Sequence, residues 1–97
     1  MAAYVLLAKF TQQGIRDVKD TVKRAEYFKE MAKSAGVTVK ELYWTLGRCD
    51  IVVTCEAADE MAITTLGLSL GKAGNVQTET LRAFSATEMT KILAKVT

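Results

Sequence analysis

The stretch LYWTLGRCDIVVTCEA, residues 42–57, decides how this chain folds. Upstream of its glycine, Val37–Leu46 alternates. Val39, Glu41, Tyr43 and Thr45 fall on one side, and Lys40, Leu42, Trp44 and Leu46 on the other. A two-residue period is that of a strand. Gly47-Arg48 interrupts it, and Ile51–Cys55 resumes as a second strand. So short a connection makes the pair an antiparallel hairpin.

Working outward, Tyr4–Phe10 is a short apolar run of β-type composition that ends in Thr-Gln-Gln-Gly and predicts a first strand. From Ile15 the period turns helical, with Ile15, Val18, Val22, Ala25, Phe28, Ala32 and Ala35 forming one stripe. Gly36 then stands where a helix is stopped. Tyr27 and Met31 lie one turn apart on its flank, placed for a sheet edge or a subunit contact.

After the hairpin, Asp59 can cap a helix running to about Ala73. Its inner side is read as Ala62, Thr65, Leu66, Ser69, Leu70 and Ala73. Gly67 and Gly71 each cost about 1 kcal/mol of helix stability relative to Ala, which suggests close backbone approach. Val76–Phe84 is a fourth strand. Ser85 can cap a last helix, Ala86–Lys95, with Met89, Ile92, Leu93 and Val96 on its apolar side.

The order β-α-β-β-α-β plus a terminal helix predicts a single α+β domain of ferredoxin-like architecture. It has a four-stranded antiparallel sheet with both main helices on one face. Val5 and Leu7 oppose Tyr4, Leu6, Ala8 and Phe10. Ile51, Val53 and Cys55 oppose Val52, Thr54 and Glu56, and Leu81 and Ala83 oppose Thr80, Arg82 and Phe84. Neither face is therefore fully polar, and the helices can cover only one. A bare face of that kind exceeds what a soluble monomer usually exposes. The expectation is a homodimer with sheets face to face, the C-terminal helix adding to the contact.

Composition excludes several functions. The chain has 97 residues, a formal charge of +2 and no arginine-rich block, which argues against nucleic acid. It has no histidine, so the commonest general base and transition-metal ligand are missing. No cofactor or metal is expected. Cys49 and Cys55 on one extended strand would lie about 20 Å apart, too far for a disulfide. Free thiols, no leader and no apolar span point to a reducing cytoplasm and to no membrane. LGLSLGKAGN lacks the spacing of a phosphate loop, since Lys72 is followed by Ala73.

FTQQG, YWTLG, GRCD, LGLSLG and GNVQTETLRAF together resemble the GYD domain family. The resemblance spans nearly the whole chain and is most specific from Tyr43 to Phe84. It implies a stand-alone bacterial domain of the dimeric α/β-barrel type. The family's activity is not established, so no catalytic residue carries over. The family is named for a Gly, a Tyr and an Asp in the hairpin. Gly47 and Asp50 match, but Cys49 stands at the Tyr position.

Among the chemistry-bearing residues, Cys49 reads as a small filler, since no histidine can activate it. Asp50 reads as an acceptor of backbone N–H groups around the turn. Arg82, inside a strand, needs a partner, and Glu41 or Glu56 are the expected ones. If the domain binds a small molecule in a cleft between sheet and helices, its edges would include Thr11, Tyr43, Arg48, Asp50 and Arg82. Arg48 and Asp50 are expected on one side of the hairpin. Three functions are compatible with these features: a dimeric binding or structural module, a cofactor-independent monooxygenase-like enzyme, and a regulatory subunit for a larger partner. The second rests on fold analogy.

Overall fold

A computed structural model describes residues 1–97. Its elements are β1 (Ala2–Phe10), α1 (Gln12–Arg16), a 3₁₀ turn (Val18–Asp20), α2 (Thr21–Ser34), β2 (Val37–Trp44), β3 (Ile51–Ala57), α3 (Glu60–Ala73), β4 (Val76–Ala83) and α4 (Ala86–Leu93). The sheet is antiparallel in the order β2-β3-β1-β4, the ferredoxin-like arrangement. Tyr4, Leu6, Val53 and Cys55 from the sheet pack with Phe28 and Ala32 of α2 and with Ile63 and Leu66 of α3 in one core.

The hairpin forms as its residues dictate. Asp50 receives the Thr45 N–H on its carbonyl at 2.8 Å, and the Thr45 hydroxyl donates to the Cys49 carbonyl at 2.7 Å. Between them Gly47 turns the chain at φ +99°, a region in which a Cβ is strained.

β2 does not keep the simple alternation expected of it. Val39 pairs with Cys55, but the next pair is Glu41 with Thr54, which leaves Lys40 as a bulge. One extra residue swaps the faces beyond it. Val37 and Val39 therefore share the helix-covered face with Leu42 and Trp44, while Glu41 and Tyr43 turn to the open face. Lys40 itself points its ammonium to Glu56 at 3.5 Å.

The long first helix is also divided. α1 ends at Arg16, and the chain bends at Asp17 before α2 begins. The two pieces answer to different anchors. Gly14 of α1 packs so closely on the carbonyl of Asn75 that an added Cβ would collide with it. α2 is fixed by Ala25, Phe28 and Ala32 in the core. Ile15 and Val22, read as parts of the inner stripe, are 54% and 60% exposed.

Ala62, Leu66 and Leu70 of the expected inner side of α3 pack in or against the core. Ile63, outside that expected set, is buried with Leu66, whereas Thr65 is exposed. Asp59 caps it by accepting the Ala62 N–H at 3.0 Å. Gly67 and Gly71, expected to mark close approach, have room for a methyl group.

α4 carries the expected apolar side, but none of its residues is buried. It is set by a complete capping box between Ser85 and Glu88. With it, the molecule measures 50 × 30 × 19 Å.

Because the Gly14–Asn75 contact is backbone against backbone, it cannot relax by moving a flexible side chain. Gly14→Ala should cost about 1–3 kcal/mol. The check is a denaturant midpoint that falls while the slope of the transition is unchanged.

Candidate functional site

Packing two helices on a bulged sheet leaves a gap. A cavity of about 210 Å³, partly open to solvent, lies between the sheet and α2 and α3. Leu6, Ala8 and Phe10 of β1, Leu42 of β2, Ile51 and Val53 of β3 and Val76 of β4 form its floor. Ala25, Phe28 and Met31 of α2 and Leu70 of α3 cover it, with Tyr27 at the rim. Thr21, Arg24, Asn75 and Thr78 are its polar groups. No carboxylate, imidazole or thiol lines it.

The rim is held by hydrogen bonds between distant parts of the chain. The Thr11 N–H donates to the Asn75 carbonyl at 3.1 Å, and the Thr11 hydroxyl donates to the Gly74 carbonyl at 2.6 Å. The Trp44 indole N–H donates to the Thr21 hydroxyl at 3.0 Å. Arg24 donates to the carbonyls of Asp17 at 2.7 Å and Gly14 at 3.1 Å, spanning the break between α1 and α2.

None of Thr11, Tyr43, Arg48, Asp50 and Arg82 lines this cavity. Thr11 caps α1, accepting the Gly14 N–H at 3.1 Å, and reaches a shallower polar groove along α3 and β4. Asp50 accepts the Phe10 N–H on Oδ2 at 2.8 Å, while its own N–H donates to the Ala8 carbonyl at 2.9 Å. It thus extends the β1–β3 pairing by one step, close to the backbone role expected of it. Arg48 is exposed at the hairpin tip. Residues 45–50 are a loop, so strand alternation does not place Arg48 and Asp50 on a common face. Cys49 is half-buried in that loop.

Tyr43 is exposed on the open sheet face, its hydroxyl donating to Glu41 Oε2 at 3.0 Å. That bond to a carboxylate pushes its pKa above the ordinary tyrosine value, so it is a donor and not a phenolate base.

Arg82 stands opposite Tyr4 in the β1–β4 register, at the far end of β1 from Phe10 and Asp50. Six residues of strand separate these ends, roughly 20 Å. Its partner is Glu88 of α4 at 3.3 Å, not Glu41 or Glu56. The guanidinium also lies 4.6 Å from the Phe84 ring centroid and donates to the Ala3 carbonyl at 3.3 Å. The Ser85 N–H, and then the Arg82 side chain, hold the Glu88 carboxyl below the ordinary glutamate range. Arg82 therefore anchors α4. The second thiol, Cys55, is buried in the core, and that burial pushes its pKa up to about 11.

Sequence reasoning missed Arg24 and Asn75. Arg24 sits among Lys23 and Glu26 and reads as part of a solvated face. The available signal was spacing: Thr21, Arg24, Ala25, Phe28 and Met31 recur at three and four residues, which places a cation on an apolar stripe.

The architecture and this partly open apolar space define a small ferredoxin-like α+β domain with a sheet–helix cavity. The model of the GYD domain matches residues 4–93, and the chain belongs to that family. No curated protein matches the chain. No helix is long and apolar enough to cross a membrane.

Asp50 and Arg48 are separable by stability. Asp50→Ala strands a half-buried N–H and should cost about 1.5–3 kcal/mol. Arg48→Ala should change stability by less than about 0.5 kcal/mol. Urea denaturation of both variants checks this.

Proposed function

We propose that this protein is a cytoplasmic binding module that works as a homodimer and holds a small apolar molecule between its sheet and helices. The cavity carries the reading. Its wall is almost wholly apolar, its polar groups are few, and it lies where the sheet meets both helices, the pattern of a small-molecule site. The lining lacks an acid–base pair, which favours binding over the monooxygenase-like alternative. Two free cysteines, one of them in the core, fit a reducing compartment.

The dimer rests on the sheet's other face. Val5, Leu7 and Val52 are only half-buried there, and Leu81 and Tyr43 are exposed. Pairing two such faces removes apolar surface from water at about 25 cal/mol per Å².

Thermal unfolding with 4-ethylbenzamide, a neutral single-ring probe, tests the cavity. At 100 times its Kd the probe should stabilise the protein by about 2.7 kcal/mol. Ala25→Phe, which fills the space from α2, should abolish that gain. A probe that stabilises the filled variant equally, or neither protein, overturns the reading of the cavity.

Assembly is read from light-scattering mass. The parent protein should give twice the chain mass at micromolar concentration, and Leu81→Lys should give the monomer mass. A monomeric parent overturns the sheet-face dimer.

A further inference from the structure

We infer that the occupant of the cavity is an organic anion, a single-ring or short-chain apolar body bearing one carboxylate, and that Arg24 receives the carboxylate. This rests on the cavity being a binding site. Arg24 is the only charged side chain on the lining. No carboxylate of the protein lies within 4.0 Å of it, since the ion pairs of the chain are Lys29–Glu26, Lys40–Glu56 and Arg82–Glu88. Half-buried at the rim of an apolar space, it carries a positive charge with no internal counter-ion.

The guanidinium is also fixed in place. Two of its five N–H groups are held by the carbonyls of Gly14 and Asp17, which leaves three free. A planar donor held in this way keeps N–H groups for a carboxylate and loses little further side-chain freedom in binding it. The surrounding apolar wall lowers the local dielectric and strengthens that attraction. Asn75 and Thr21 lie on the same lining and supply neutral polar contacts beside it.

Volume sets the size of the body. A cavity of about 150 Å³ accepts benzene. A space of about 210 Å³ therefore takes one ring with a short substituent, or an aliphatic chain of similar bulk.

The test compares 4-ethylbenzoate with 4-ethylbenzamide, which share a shape and differ in charge, by calorimetry at neutral pH. The acid should bind at least about tenfold more tightly to the parent protein, equivalent to about 1.4 kcal/mol. In Arg24→Gln the amide should keep its affinity and the preference for the acid should vanish. Arg24→Lys should retain part of it. Because Arg24 also ties α1 to α2, the side-chain NMR signals of Arg24 are followed in the parent protein. They should shift with the acid and not with the amide. An amide bound as tightly as the acid, or Arg24 signals unmoved by a bound acid, overturns the inference and leaves the cavity reading intact. If neither compound binds, the cavity reading and this inference fail together.

Discussion

The inner face of the sheet depends on where β2 falls out of step with β3. Before Lys40 the strands pair so that Val37 and Val39 meet Ala57 and Cys55. After it, Leu42 and Trp44 meet Val53 and Ile51. Without the bulge, a strict two-residue period would turn Leu42 and Trp44 away from Val39. Leu42 would leave the cavity floor, and Trp44 would lose its bond to Thr21. An apolar patch would replace Glu41 on the other side. The bulge therefore keeps one continuous wall beneath α2, and the cavity inherits its edge from that wall.

Much of the architecture was legible because it rests on local rules. Gly47 at the turn, Asp59 and Ser85 at helix starts and Gly36 after a helix each stand where short-range chemistry needs them. The remainder depended on contacts that no window of sequence contains. A lysine carries no mark of a bulge, since bulging is a property of two strands in register. The break near Asp17 follows from Gly14 meeting Asn75, which is distant in sequence. Along α3, Ile63 rather than Thr65 takes a buried place, a choice that helical spacing alone does not make.

The five residues picked for their chemistry show a related limit. Asp50 and Thr11 spend their polar atoms on backbone groups at strand and helix ends, where unpaired N–H and C=O groups must find partners. Arg82 is taken up by α4. Polar residues beside turns are conspicuous in a sequence for the same reason that they are occupied in the fold. The cavity is the reverse case. Its wall is made of residues that read simply as core, and its one cation sits in a run of charges that reads as surface.

The projecting α4 alters how the molecule moves through solution. A compact chain of this length has a radius of gyration of about 13 Å. Here it is 14.6 Å, along a body 50 Å long and 19 Å thin. A single copy tumbles and diffuses as a larger, rod-like particle would. Its elution volume and rotational correlation time therefore overstate its mass. Drag reports shape as well as the number of chains.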